Sequence, residues 1–221
     1  MRVGPVSDAT RRVPAVRVAA WAWLLATQFF VAQVVVAWAW QTPYSLVHRY
    51  ISDLGNTLCA PYPPGGGVVV CSPWHAGMNL SFAVLGLTMA TGAICAVGAF
   101  AHRRVAAVAA GLFVVAGVGV GLVGYYPENE HLARHALGAG VNFVAGGLGV
   151  LIFGLAWRDV RRSWVRPVSV AAGLIALAGT GLFATDVYLG LGPGGMERVA
   201  AYPVPLWQMM MGWVLWSSSP P

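Results

Sequence analysis

Six apolar runs, each long enough to cross a lipid bilayer, constrain this chain more than any other feature of its sequence. An α-helix needs about 20 apolar residues to span the hydrocarbon core. Runs of about that length cover residues 18–40, 75–100, 105–125, 132–157, 168–191 and 199–216. The pattern predicts an all-α integral membrane protein, a six-helix transmembrane bundle that forms a single domain over residues 1–221.

The scarcity of charge supports this interpretation. Only 9% of the residues are charged and 58% are hydrophobic, whereas a soluble domain carries about a quarter of its residues as charged side chains. The net charge of +6 could indicate nucleic acid as a partner. However, the basic residues are all arginines, and they occur in short clusters between the apolar runs, which is typical of topology signals. We therefore expect membrane lipid as the partner and no nucleic acid.

The arginine clusters also predict the orientation. Ten of the 13 arginines lie before the first run, between the second and third runs, or between the fourth and fifth runs, which places them on one side. The other three, Arg49, Arg134 and Arg198, lie on the opposite side. Because positive loops are retained in the cytoplasm, both chain ends are predicted to be cytoplasmic and the loop over residues 41–74 to be outside.

Two cysteines in this loop agree with that orientation. Cys59 and Cys71 would face an oxidising compartment, so we expect them to form a disulfide that closes a short hairpin rich in proline and glycine. Metal binding by the pair is the alternative, although no other soft ligand is adjacent. Cys95 lies within the second run and is predicted to be a small buried residue.

The same loop contains an amphipathic segment. Thr42 and Pro43 resemble the first residues of a helix, and Gly55 is typical of the position after a last turn. Between them, apolar residues share one face and polar residues the others. We predict a short interfacial helix over residues 43–54 that lies on the outer surface of the bundle.

Polar side chains gather where the runs meet the outer side. His131 and His135 are four residues apart at the start of the fourth run, and Asn142 continues the same predicted helix face. The second run repeats this pattern with His75 and Asn79. Polar residues inside a membrane usually face the bundle interior or a wet cavity. The two stripes therefore predict a polar pocket that opens to the outer side.

A divalent metal such as zinc is a candidate cofactor for this pocket. His131 and His135 have the spacing of two ligands on one helix face. A third imidazole and a carboxylate would come from other outer residues, namely His48, His75, Asp53 and Asp186. Water bound to such a metal has a pKa lowered towards 7 and can attack an ester or amide.

A structural role for the same residues is the alternative. Glu128 and Glu130 would then stabilise the start of the fourth helix through its dipole, with the histidines at a wet interface. Asn79 and Asn142 would form hydrogen bonds between helices. The sequence leaves both interpretations open.

Other polar or aromatic residues near the outer helix ends are further candidates. Catalytic roles would fall to Ser52, Asp53, Asp186, Glu197 and Arg198, and binding roles to His48, Asn79, Asn142 and Trp207. Asp53 and Arg49 could instead form a surface ion pair worth under ~1 kcal/mol. Glu197 and Arg198 could mark only a helix end. Most tryptophans fit an aromatic belt at the membrane interfaces, whereas Trp207 could lie deeper in its run.

Four motifs resemble a known family of bacterial membrane proteins. They are YISDLGNT after the first run, VCSPWHAGMNLSF and ENEHLARHALGAGVNF at the starts of the second and fourth, and GPGGMERVAAYPVPLW leading into the sixth. Over nearly its whole length the chain resembles domain-of-unknown-function family 998. The resemblance implies a six-helix membrane bundle and no particular activity. The positions that it marks are Ser52, Asp53, Gly55, Asn79, His131, Glu197 and Arg198.

A second resemblance concerns chemistry. A serine, an aspartate and two histidines four residues apart at helix ends are similar to the alkaline ceramidase and adiponectin-receptor superfamily of membrane hydrolases, which have seven core helices where this chain offers six. We therefore expect a multi-pass protein of the bacterial inner membrane whose outer pocket binds or hydrolyses a lipid or other amphiphile, with or without a metal. A small transporter, or a subunit that binds a partner, is the non-catalytic alternative.

The orientation can be tested with reporters. A reporter fused after Pro221 should be cytoplasmic, and one inserted between Pro63 and Gly67 should be outside, because the arginine clusters hold the chain ends and the alternate loops in the cytoplasm. Protease protection in sealed vesicles would check both positions. Cytoplasmic labelling of the loop over residues 41–74 would contradict the predicted topology.

Overall fold

A computed structural model describes residues 8–41, 43–62 and 67–218 of the chain. Thr42 and both predicted reporter positions, at Pro63 and Pro221, lie outside the described residues. The described part folds into a bundle of eight α-helices: α1 Asp8–Leu24, α2 Thr27–Trp38, α3 His75–Ala96, α4 Arg103–Tyr125, α5 Glu128–Ala156, α6 Val165–Ala184, α7 Gly192–Ala201 and α8 Pro203–Trp216. Short 3-10 turns cover Ser52–Gly55, Val97–Ala99 and Val160–Arg162.

The all-α membrane architecture is confirmed. Within the described ranges, five helical segments are long and apolar enough to cross a bilayer: Pro14–Trp38, His75–Ala99, Arg103–Tyr125, Glu128–Ala156 and Val165–Ala184. The first of these combines α1 and α2. The sixth predicted run is divided between α7 and α8, and α8 has 14 residues. The division falls at Pro203, because proline has no N–H to continue the hydrogen bonds of the preceding helix.

Two predicted boundaries differ from the structure. Helix α6 ends at Ala184 and not near residue 191, because Asp186 and Leu189 adopt positive φ angles of 57° and 48°, which no α-helix accommodates. The predicted interfacial helix over residues 43–54 is reduced to the 3-10 turn Ser52–Gly55. The carbonyl oxygens of Leu46 and Arg49 accept hydrogen bonds from Arg198 instead of from a helical backbone.

The predicted disulfide is present. Cys59 and Cys71 are bonded, and they flank an antiparallel pair of strands, β1 Ala60–Tyr62 and β2 Val68–Val70. Cys95 is half-buried and free. We call the end of the bundle that carries residues 43–62 and 67–74 the hairpin end. The opposite end, where α4 and α6 begin, is called the arginine-rich end.

Glycine allows α3 and α4 to pack with their backbones in contact. A Cβ atom added to Gly117 would lie 2.5 Å from the carbonyl oxygen of Gly86, which is too close for any side chain. Gly121, four residues further along α4, has no atom of another element within 4 Å of the same position. Small residues that permit such close approach stabilise helix pairs in membranes through van der Waals contact. Only Gly117 of this GxxxG pair therefore contributes to the contact.

The two glycines provide a matched test of this packing. Gly117→Ala should destabilise the protein by about 1–3 kcal/mol, because α3 and α4 must move apart to accept the methyl group. Gly121→Ala should be neutral or slightly stabilising, since alanine favours the helix. Unfolding of the purified variants in detergent would measure the difference. Equal effects of the two substitutions would contradict the close contact.

Candidate functional site

The segment from Ile51 to Asn56 is buried at the hairpin end and is held by side chains from several elements. The amide of Ile51 donates to the carboxylate of Glu197 on α7. The hydroxyl of Ser72 donates to the carbonyl oxygen of Leu54 over 2.7 Å, and the side-chain amide of Asn79 on α3 donates to that of Gly55 over 3.0 Å. A buried loop needs such partners, because its 3-10 turn leaves other backbone groups of the segment without a partner inside it. We call this segment, residues 51–56, the roof.

Glu128 connects the roof to α5. Its Oε2 accepts a hydrogen bond of 2.6 Å from the hydroxyl of Ser52, and its Oε1 accepts one of 3.2 Å from the side-chain amide of Asn56. Asp53 lies beside it and accepts from the amide of Tyr50 over 3.0 Å. Asp53, Glu128 and Glu197 are 3%, 6% and 7% exposed. Three carboxyl groups are thus buried around one short turn.

Burial of these groups changes their acidity. It raises the pKa of Asp53 to about 7, and the charge and hydrogen bond of the neighbouring Glu128 add to the increase. It also raises the pKa of Glu197 to about 8, although the amide of Ile51 and the charge of Arg198 oppose the change. An uncompensated carboxylate is costly to bury, so the neutral form is favoured. Asp53 and Glu197 can therefore hold protons near neutral pH.

The guanidinium group of Arg198 donates its hydrogen bonds to backbone carbonyl oxygens and a phenol hydroxyl, and not to these three acids. Its Nη1 donates to the carbonyl oxygens of Leu46, Arg49 and Gly194 at 3.1, 2.9 and 2.7 Å. Its Nη2 donates to the hydroxyl of Tyr44 over 2.7 Å. Burial raises the pKa of that phenol. These contacts fix residues 44–49 against α7, and the catalytic role of Arg198 stays a prediction from sequence.

A cavity lies beneath the roof, inside the bundle. Its volume of about 40 Å³ has room for a few water molecules at ~10–15 Å³ each. Most of its wall is apolar, and its polar groups belong to Ser52, His135, Asn142 and Glu197. The side-chain Oδ1 of Asn142 is buried and has no hydrogen-bond partner within the described part of the chain. A ligand with a hydrogen-bond donor would satisfy it.

The two histidines of α5 occupy different environments. His131 has non-helical backbone angles (φ −139°, ψ 57°), so the helix is kinked there and His131 does not share the predicted face, whereas His135 and Asn142 both line the cavity. His131 is exposed and its ring lies edge-on to Tyr126 at 5.4 Å. His135 is buried beside the cavity, and its Nδ1 lies 2.9 Å from the carbonyl oxygen of Tyr126. That contact requires a proton on Nδ1, which leaves Nε2 as the acceptor in the neutral ring.

The remaining predicted metal ligands do not join His135. The Nδ1 of His75 contacts the carbonyl oxygen of Ser72 over 3.0 Å, and His48 is exposed. Among the residues for which the structure gives side chains, no three from His, Cys, Asp and Glu are arranged to hold a metal ion. The divalent metal therefore stays a prediction from sequence, without a set of converging ligands to support it.

Two other predicted site residues lie away from the cavity. Asp186 is exposed and accepts a hydrogen bond of 2.6 Å from the hydroxyl of Tyr188. Trp207 is buried in the apolar core, where its Nε1 donates to the hydroxyl of Ser169 over 2.7 Å. The predicted deeper position of Trp207 is confirmed, but Trp207 does not line the cavity.

Sequence reasoning missed the central position of Glu128. Glu128 and Glu130 both follow Pro127, and both were expected to stabilise the helix start. Glu128 is buried against the roof, whereas Glu130 is exposed and accepts from the hydroxyl of Thr57. Only the packing of the roof distinguishes the two, and no local sequence signal predicts that packing. Asn56 was missed for the same reason.

The arrangement is suited to hydrogen bonding and proton transfer. It offers a serine hydroxyl in contact with a carboxylate, two further carboxyl groups that can be neutral, and an imidazole acceptor. Cationic groups are absent from the lining of the cavity among the described residues. The site therefore favours a neutral ligand with hydroxyl or amide donors over a phosphate, because no cationic side chain among the described residues of the lining would stabilise a phosphate charge.

Comparison with known proteins gives a single family. A family model described as a protein of unknown function (DUF998) matches residues 24–214. No curated protein and no solved structure matches the chain.

The acidic cluster predicts a pH dependence of stability. The pKa of Asp53 is about 7 in the folded protein and 3.8 ordinarily, so the folded state binds more protons between these values and its stability falls as the pH rises through about 7. Glu197 acts in the same direction. The melting temperature in detergent should be higher at pH 5 than at pH 8.

Asp53→Asn should reduce this pH dependence, because the amide resembles the protonated acid. The matched control is Asp186→Asn, which changes an exposed aspartate and should leave the dependence intact. A pH profile that is identical in the wild type and Asp53→Asn would contradict the assigned acidity.

Proposed function

The chain belongs to the DUF998 family, and we propose that it is a membrane protein that binds the polar end of a neutral amphiphile beneath the roof. The observation that carries the proposal is the composition of the cavity wall. Ser52, His135, Asn142 and Glu197 supply polar groups, and the rest of the lining is predominantly apolar. Ligand sites are commonly apolar with a few fixed polar groups.

The polar groups specify the class of ligand. The unpartnered Oδ1 of Asn142 is an acceptor, and Nε2 of His135 is another. Glu197 donates a hydrogen bond when it is protonated. A headgroup with hydroxyl donors and an ester carbonyl, such as a monoacylglycerol, complements this set. An anionic phospholipid would bring its phosphate to a lining that has no cationic side chain among the described residues, and it is disfavoured.

Binding requires movement of the roof. A cavity of about 40 Å³ is far smaller than the ~300–1,000 Å³ of common ligand pockets. The roof is held by side chains of Glu128, Glu197, Asn79 and Ser72. A headgroup that replaces some of these hydrogen bonds with its own would allow the roof to move away from α3 and α5. The apolar tail would then extend along the apolar wall.

A second candidate function is hydrolysis of the bound ester, and it is favoured by the 2.6 Å hydrogen bond between Ser52 and Glu128. The hydroxyl oxygen of Ser52 would attack the carbonyl carbon while its proton passes to Glu128. The departing alcohol would take that proton and leave an acyl group on Ser52. Water would then attack the acyl group, with Nε2 of His135 accepting its proton and returning it to the Ser52 oxygen.

The proposed binding can be tested by filling the cavity. Ala139 lines the cavity, whereas Ala136 lies one turn earlier on the exposed side of the same helix. Ala139→Leu should abolish binding of a monoacylglycerol, measured by native mass spectrometry of the purified protein in detergent. Ala136→Leu adds the same atoms elsewhere and should bind as the wild type does.

The outcomes of these experiments distinguish a lipid-binding protein from a hydrolase. Equal binding by both leucine variants would contradict the cavity as the site, provided that both elute as folded monodisperse species. Release of free fatty acid by the wild type, lost in Ser52→Ala while binding persists, would support hydrolysis. Binding without release would leave a binding protein. An absence of binding in the wild type would favour the non-catalytic alternatives, a small transporter or a subunit that binds a partner.

A further inference from the structure

A larger cavity lies at the arginine-rich end, far from the roof. Its volume is about 560 Å³, which is within the range of common ligand sites. It is bordered by the turn between α3 and α4, by the residues that follow α5, and by the last residues of α8. It therefore opens at one surface of the bundle, where α3, α5 and α8 end and α4 begins.

Two arginines line this cavity from different elements. Arg103 is the first residue of α4, and Arg158 follows α5 by two residues. The Nε of Arg158 donates to Nε2 of His102 over 3.0 Å, which orients the guanidinium and leaves its terminal nitrogens for other contacts. The start of α4, a helix of 23 residues, adds the positive end of a helix dipole. The Oδ1 of Asp159, also in the lining, accepts from the amide of Arg161.

The remaining wall is apolar and aromatic. Phe100, Trp157 and Leu215 line the cavity and are 3%, 7% and 3% exposed, so they form its deeper part. Trp157 is fixed by a hydrogen bond of 3.0 Å from its Nε1 to the carbonyl oxygen of Arg162. The site thus combines cationic groups near the membrane surface with apolar side chains beneath them.

We propose that this cavity binds an anionic phospholipid, with the phosphate between Arg103 and Arg158 and the glycerol and first acyl carbons against Phe100, Trp157 and Leu215. Guanidinium groups bind phosphate oxygens through paired hydrogen bonds. Basic pockets between membrane helices are suited to anionic headgroups. The apolar wall gives the lipid contacts that free phosphate lacks, and the flanking helices place the arginines at the level of the headgroups.

The proposal can be tested with two variants of equal charge. Arg103→Gln/Arg158→Gln removes the two arginines of the cavity. Arg104→Gln/Arg161→Gln removes two exposed arginines from the same end that do not line it. Native mass spectrometry of the detergent-purified full chain would measure binding of phosphatidylglycerol, with phosphatidylcholine as the neutral reference.

We expect wild type to prefer phosphatidylglycerol over phosphatidylcholine. The cavity variant should lose about fivefold in affinity for each arginine removed, and so roughly twentyfold or more in total. The control variant should lose much less. Equal losses in the two variants would show a general charge effect and overturn the site, as would displacement of the lipid by inorganic phosphate at equal concentration. Thermal unfolding of both variants would verify that they remain folded.

Discussion

The burial of the roof is the constraint on which the hairpin end depends. Residues 51–56 form at most one 3-10 turn, so most of their backbone groups need partners from outside the segment. Glu197, Asn79 and Ser72 supply those partners from sequence-distant positions. The same contacts join α3 and α7 to the loop. A loop of this length could not close a membrane bundle without them, because neither lipid nor apolar side chains would satisfy its amides.

The use of carboxyl groups to hold the buried roof has a chemical consequence. A carboxylate is a strong acceptor for an amide or hydroxyl, but its burial without a cation is unfavourable. The one buried arginine nearby, Arg198, directs its guanidinium hydrogen bonds to backbone carbonyls and Tyr44. The protonated form of the buried carboxyl groups is therefore favoured, and the pKa of Asp53 rises to about 7. Groups that hold the loop in place are thus also groups that can transfer a proton near neutral pH.

Hydropathy and the placement of arginines predict the membrane-spanning segments. Both depend on the free energy of transferring a side chain from water into lipid, which is a property of each residue type. The disulfide was predictable because Cys59 and Cys71 are near in sequence. The functional site could not be predicted in the same way, because it depends on how residues distant in sequence pack together. The kink at His131 removes that residue from the helix face that spacing alone predicted, and the burial of Glu128 depends on Ser52 and Asn56, more than 70 residues away. Pro203 is a sequence signal for a break in the sixth run, but the apolar residues on both sides of it favoured one continuous span.

The two cavities have opposite chemistry, and this opposition follows from the topology. Positive loops stay on one side of a membrane, so arginines from separate loops converge at that end and attract phosphate. At the hairpin end arginines are fewer, and the cavity lining offers hydrogen-bond acceptors to neutral donors. The 23 residues of α4 separate the ends by about 35 Å, at ~1.5 Å per residue. No direct contact could couple sites so far apart, so a lipid held at the arginine-rich end would influence the roof only by shifting the helices that both cavities share.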